Sequence, residues 1–408
     1  MCVLAAMEAS AQRRSGAAAM IADHAADVIA GVVSRVAPDR RTVIAEFQTA
    51  DSAGVVMITG KTSEAYLRDS IAAALSRENI SFADRITLLP SDRWAQVRIP
   101  VACIRTSGSH AAEMSTQAIM GTPMRLLEDT GEWQRIQTPD GYIGYMNISS
   151  VAPKSDAEMN EWRHARRLVV TSPTEAKVYS SPTSSAPRET VTELVNASIV
   201  EGPLDASDGR VKIALPDGRT GWVDAINMTE IGKYVRQDFS TDSILNTAYR
   251  LMGAPYLWGG ASTKSVDCSG LIKVSYLANG IILMRDASQQ IFTGIRIEPA
   301  DTASLESGDL LFFSHTPEGR IGHVAMYDRD GHYIHSSGRV KVNVMRPDDE
   351  DFGNRVYRGA SRIKGAVGTK GITRVEKHPW YFNKRLFKNK CESRSPFSRG
   401  EFRDELKE

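Results

Sequence analysis

The 408-residue sequence predicts an α+β protein of several domains, in which two small β-barrels lie between an N-terminal α+β unit and a C-terminal α+β domain. Three observations carry this. The length exceeds that of one ordinary domain. The stretch "IQTPDGYIGYM" at 136–146 recurs as "IALPDGRTGWV" at 213–223 almost position for position, the mark of a repeated module. After residue 240 the pattern changes to alternating helical and strand-like runs that continue to about 360.

Residues 1–97 read as a small accessory α+β region. "AAAMIADHAADVIAGVVSRV" predicts a helix over 17–36, and "RRTVIAEFQ" and "GVVMITG" predict two strands. A second helix follows, with apolar residues at 67, 71, 74 and 75, before "DRITLLP" returns to extended structure. No chemical motif stands out here. Ala9-Ser10-Ala11 resembles a signal-peptidase site, so residues 1–11 are read as a signal remnant, which puts the protein in the periplasm or elsewhere outside the cytoplasm. A disordered terminus on a cytoplasmic protein is the competing reading.

Each repeat leads an apolar strand into a Pro-Asp-Gly turn and out through a short alternating strand, the pattern of small β-barrels. The barrels are assigned to 98–153 and 167–235. Ser155 and Glu158 stand at capping-box spacing and predict a linking helix over 154–166. The C-terminal domain covers 240–385. The tail 386–408 is charged, poor in aliphatic residues and expected to be disordered, with no evident partner for Cys391.

Composition excludes several classes of function. Lysine plus arginine total 50 against 49 for aspartate plus glutamate, so no basic excess points to nucleic acid. No apolar run reaches the roughly 18 residues of a membrane span. The four cysteines, at 2, 103, 268 and 391, form no C-x-x-C pair and suggest no zinc ribbon, redox dithiol or disulfide framework.

Cys268 is the exception among them. It lies in "YLWGGASTKSVDCSGLIKVSYLANG", with Leu271 and Val274 on one stripe after it, Gly280 as a stop and Asp267 as N-cap. A thiol in the first turn of a helix meets unpaired N–H groups and the positive end of the dipole, which favours thiolate. A nucleophilic thiol also needs a base. His323 in "RIGHVAMYD" and His335 in "GHYIHSSGR" lie on two strand-like runs joined at "DRDG". A three-residue loop, Arg329 to Gly331, sets 323 opposite 337 and 335 opposite 325, which makes the two histidines same-face neighbours. His323 then serves as base and His335 as the group that orients it. By the same parity His332 points the other way, and His315 sits in a polar loop. Taken singly, a cysteine before a helix or a histidine on a strand is more often structural.

The ordered motifs "APYLWGGASTKSVDCSGLIKVSY", "RDASQQ", "SGDLLFF", "GHVAMY" and "YIHSSG" resemble the NlpC/P60 family of papain-like cysteine peptidases, and the barrels resemble bacterial SH3 (SH3b) domains. The combination, with "GITRVEKHPWYF" at the close, is similar to the dipeptidyl-peptidase VI type of γ-D-glutamyl-L-diamino acid endopeptidase. The resemblance implies a papain-like core with Cys268 as nucleophile, His323 as base and His335 as third polar residue. It implies a substrate of peptidoglycan stem peptides, L-Ala-γ-D-Glu-diamino acid with a free amine, cut after the glutamate. For substrate binding it implies Glu113 and Tyr142 in the first barrel, and Tyr256 (oxyanion), Trp258 (pocket wall), Asp267, Ser269 and Asp286 (amine) in the catalytic domain. Without it, Glu113 reads as a solvated surface acid. Ala287 stands where related sequences can carry serine, which removes a hydroxyl contact, and Arg219 replaces Tyr142 in the second repeat. No metal or cofactor is implied, and a monomer is expected. Two rivals are a non-catalytic wall-binding SH3b protein and a Cys/His₂ zinc site.

Overall fold

The computed structural model describes residues 2–183 and 189–383, with side chains from residue 19 onward. The tail expected at 386–408, with Cys391, lies outside the described residues.

The N-terminal helix runs from Cys2 to Val36, so the expected 17–36 helix extends toward the start and Ala9–Ala11 fall within it. Strands Ala45–Ser52 and Val55–Thr62 form an antiparallel hairpin, and Phe82–Leu88 joins it in parallel after helix Ala65–Arg77. The residues spaced for a helical stripe, Leu67, Ile71, Ala74 and Leu75, are the ones buried, against Ile29, Val32, Val56 and Ile58.

Two seven-stranded antiparallel sheets follow, and the duplication holds strand for strand. In the first the order is Val151–Lys154, Trp94–Val97, Pro123–Asp129, Trp133–Gln137, Ile143–Asn147, Val101–Arg105, Met114–Ile119. The second uses Met228–Glu230, Arg167–Val170, Ile199–Glu201, Arg210–Ala214, Thr220–Asp224, Glu175–Tyr179 and Thr190–Val195 in the corresponding places. The repeated hairpins share one register, Gln137 facing Ile143 and Ala214 facing Thr220. Close packing accounts for the last glycine of each repeat: a Cβ on Gly144 would lie 2.5 Å from Ile104, and one on Gly221 2.4 Å from Val178. Trp94–Val97, placed before residue 98 by the sequence reading, is an inner strand of the first sheet. Between the barrels, helix Asp156–His164 carries the expected capping box, with Ser155 Oγ accepting from the Glu158 N–H at 3.2 Å and Glu158 Oε2 from the Ser155 N–H at 2.7 Å.

In the C-terminal domain the helix Cys268–Leu277 packs on a six-stranded antiparallel sheet ordered Ile295–Ile297, Val356–Arg362, Leu310–Ser314, His323–Tyr327, His332–Ser337, Arg339–Val344. Leu271, Ile272 and Val274 of the helix share a core with Phe312, Val324, Met326 and Ile334. Phe313, Ala325 and Tyr333 form a second core with Phe352 and Tyr357. Strand Ile372–Arg374 pairs with Ile281–Leu283, and beyond it Tyr381 and Trp380 pack with Trp94 and Trp162, so the closing segment seals the junction of the two barrels with the C-terminal domain.

The two Pro-Asp-Gly turns are also fasteners. Asp140 of the first pairs with Lys273 on the cysteine helix at 2.5 Å, and Asp217 of the second pairs with Arg98 of the first barrel at 3.2 Å. Among the described residues no helix is long and apolar enough to cross a membrane.

Candidate active site

Cys268 opens its helix as expected, and Asp267 is the N-cap, its Oδ1 accepting from the Gly270 N–H at 2.7 Å. The Asp267 carboxylate is also held by the Gly259 N–H at 2.9 Å and by Arg285, whose Nη2 reaches Oδ2 at 2.5 Å and whose Nη1 reaches Oδ1 at 3.1 Å. Arg285 is 1% exposed and also donates to Ser269 Oγ at 2.8 Å and to Thr116 Oγ1 of the first barrel at 2.7 Å. Asp267, to which the resemblance gives a substrate contact, therefore has its carboxylate engaged within the protein. Its main chain is engaged as well, the N–H on the Gly260 carbonyl and its own carbonyl on the Leu271 N–H.

The thiol differs from the sequence expectation. Burial, with the Asp267 carboxylate next to it, pushes Cys268 up to about 11, although backbone N–H groups of Val324 and Ser269 and the Arg285 charge pull the other way. A helix start favours thiolate only where water or cations can follow; here desolvation wins. Burial and the nearby Arg355 also hold His323 well below its ordinary value, so both shifts favour the neutral forms of thiol and imidazole.

The hairpin has the register that parity requires. Met326 faces Ile334 and Tyr327 faces Tyr333, and the Asp328 N–H donates to the His332 carbonyl at 2.9 Å, which leaves Arg329–Gly331 as the loop, with Gly331 at φ +79°. His323 and His335 meet on one face, His323 Nε2 to His335 Nδ1 at 2.8 Å, while His332 is exposed on the other. The thiol reaches the N–H of Val324, next in chain to His323.

One residue the sequence reading missed sets the tautomers. Asn343 donates through Nδ2 to both oxygens of Asp349, at 3.0 and 2.8 Å, so its Oδ1 must accept from His335 Nε2 at 2.8 Å. His335 Nδ1 then accepts from the His323 Nε2–H, and His323 Nδ1 keeps the lone pair of a base. Both His335 nitrogens and His323 Nε2 are thereby engaged, which leaves one imidazole nitrogen free and favours an oriented base over shared ligation of zinc.

His335 is fully buried, and burial lowers it to about 4, with Asn343 and Asp351 only partly opposing. It is neutral when folded, whereas in the unfolded chain it takes a proton below about 6.5. Its contribution, about 3 kcal/mol, is complete above pH 6.5 and is lost as pH falls toward 4. Urea midpoints measured between pH 7 and 4 are expected to fall across that window; a flat profile contradicts the assignment.

Around this centre the first barrel contributes a wall. Glu113 Oε1 accepts from Trp258 Nε1 at 2.7 Å, and the Tyr142 hydroxyl donates to Asp286. Tyr256 lies in the field of Cys268 and Asp267, and burial raises its hydroxyl, which stays a donor. Gly259, at φ +77°, would place a Cβ 2.4 Å from the Met114 carbonyl, so the loop carrying Trp258 can lie against the barrel only as glycine. Arg219, the counterpart of Tyr142 in the second barrel, is exposed and pairs with Asp217 at 2.9 Å. Asp286 has a further partner from the N-terminal unit: Arg41 Nη1 donates to its Oδ2 at 2.7 Å.

Comparison with known proteins adds to this geometry. Residues 253–360 match the NlpC/P60 family and residues 104–151 match the bacterial dipeptidyl-peptidase Sh3 domain. A γ-D-glutamyl-L-lysine dipeptidyl-peptidase of Bacillus cereus is 29% identical over 288 residues, 67% of this chain and 82% of that protein. Dipeptidyl-peptidase 6 of Lysinibacillus sphaericus is 29% identical over 59% of this chain and 86% of its own length. The crystal structure of an NlpC/P60 family protein from Bacillus cereus superposes with a TM-score of 0.57 at 22% identity, covering 66% of this chain and 99% of the other, which establishes a shared fold.

Proposed function

The chain carries an NlpC/P60 domain and a bacterial dipeptidyl-peptidase SH3 domain, and from that premise we propose that it is a cysteine peptidase that hydrolyses the amide between γ-D-glutamate and the diamino acid of peptidoglycan stem peptides, releasing L-Ala-γ-D-Glu. The observation that carries the reading is the meeting of Glu113 and Tyr142, from the barrel, with Trp258 and Asp286, from the catalytic domain, beside the cysteine helix. An exposed carboxylate, Glu113, and a half-buried one, Asp286, together with the Tyr142 hydroxyl suit a free α-ammonium, which needs acceptors when it leaves water. This wall limits the substrate to a short peptide already detached from glycan.

In the proposed reaction His323 Nδ1 takes the thiol proton as sulfur attacks the γ-glutamyl carbonyl. The Tyr256 hydroxyl and a backbone N–H at the helix start receive the oxyanion. His323, held by His335 and Asn343, returns the proton to the leaving amine, and water then cleaves the thioester. Asp267 serves by holding the loop and the helix start together, and the Ser269 hydroxyl, which accepts from Arg285 and donates to Asp267, belongs to the same support.

Mass spectrometry of digests of L-Ala-γ-D-Glu-diamino acid peptides, free or N-acetylated, tests the reading. Acetylation removes the charge that these carboxylates would pair with, so kcat/KM is expected to drop about a hundredfold. Equal cleavage of both peptides contradicts it.

A further inference from the structure

The N-terminal unit, which carries no chemical motif of its own, sends one short segment into the active site. Between helix Cys2–Val36 and strand Ala45–Ser52 the chain lies along the first barrel. The Arg41 carbonyl accepts from the Ile143 N–H at 2.7 Å, and the Thr42 carbonyl accepts from Gln137 Nε2 at 3.1 Å. That anchors the backbone directly beside Tyr142. From there the Arg41 guanidinium reaches Asp286 Oδ2 at 2.7 Å and Ser288 Oγ at 2.9 Å. Asp39 grips the same guanidinium, at Nε 2.8 Å and Nη2 3.0 Å, and accepts from Gln289 Nε2 at 2.6 Å. Gln289 Oε1 in turn accepts from the Asp286 N–H at 2.9 Å, which closes a ring of four residues around one carboxylate.

We propose that Arg41 is a positioning residue of the substrate pocket, holding the Asp286 carboxylate ionised and aimed at the substrate α-amine, with Asp39 as its counter-charge. The inference rests on the assignment of Asp286 to that amine. The charge pattern supports it. Arg285 is matched by Asp267 and Arg41 by Asp39, so Asp286 keeps one formal negative charge for one ammonium, and Glu113 adds another on the barrel side. Were Asp39 absent, Arg41 would neutralise the anchor it supports. The groups facing Asp286 are Arg285, Arg41, Asp267 and the Tyr142 hydroxyl; burial raises its carboxyl, and the two arginines oppose that rise. Arg41 is thus one of two cations that keep the half-buried anchor charged, and it comes from a unit preceding both barrels.

Arg41→Ala and Arg41→Lys, compared with the unmodified protein on the free and N-acetylated tripeptides across pH 4–9, test this. For Arg41→Ala on the free peptide, KM is expected to rise about tenfold with kcat little changed. The acid limb of kcat/KM is expected to move up by about one pH unit, because Asp286 then ionises later. Arg41→Lys is expected to restore most of the acid limb. If the unmodified protein cuts the acetylated peptide equally well, the amine assignment itself fails. If it discriminates, but Arg41→Ala keeps the original KM and acid limb, the positioning role is overturned. An equal loss in Arg41→Lys with an unmoved acid limb overturns it too, since only structural support would then have been lost.

Discussion

Cys268→Ala is expected to reduce release of L-Ala-γ-D-Glu by at least about a thousandfold while leaving substrate affinity and thermal stability close to those of the unmodified protein. In the proposed reaction the thiolate is formed and regenerated within the catalytic cycle, so its removal acts on kcat rather than on binding. Losing one sulfur at the edge of a core that also holds Leu271, Ile272 and Val324 removes little apolar volume. Turnover of the purified variant on the free tripeptide, with calorimetric titration of the same peptide, checks both parts. Unchanged turnover would sink the peptidase reading and favour a wall-binding protein.

Arg285→Met is expected to destabilise the protein by about 3–5 kcal/mol and to lower activity with it. The guanidinium is the cation for a carboxylate that is itself buried, and breaking a buried pair from one side leaves an uncompensated charge. The lost bonds also include the link to Thr116, so the barrel loses a tie to the cysteine helix. Adding Asp267→Asn to Arg285→Met is expected to recover part of the loss, which a double-mutant cycle by urea denaturation measures. A single variant within about 1 kcal/mol of the unmodified protein contradicts this account.

What could be read in the sequence was local. The cysteine helix, its aspartate cap and glycine stop, the histidine hairpin and the repeated turn all follow from periodicity and turn chemistry over a dozen residues or so. What escaped was long-range. Arg285 and Thr116 are 169 positions apart, and Arg41 and Asp286 are 245 apart, so no window along the chain shows them as partners. Asn343 sits on an ordinary-looking strand and gains its role only because that strand pairs beside His335. The direction of the thiol's shift escaped for a related reason: a helix start is visible in sequence, whereas burial is a property of the assembled units. Trp94–Val97 joins the first barrel through pairing with Pro123–Asp129 and Val151–Lys154, strands that lie downstream of it.

The two Pro-Asp-Gly turns bear on how such a protein is put together. An aspartate at the tip of a turn projects away from the barrel's interior, so it can acquire a partner without any repacking within. The second barrel repeats that tip, and each copy has a different neighbour that covers its carboxylate, Lys273 for Asp140 and Arg98 for Asp217. The part of the repeat that looks most like a mere bend is thus a coupling point, at which one module can be fitted to another without altering either.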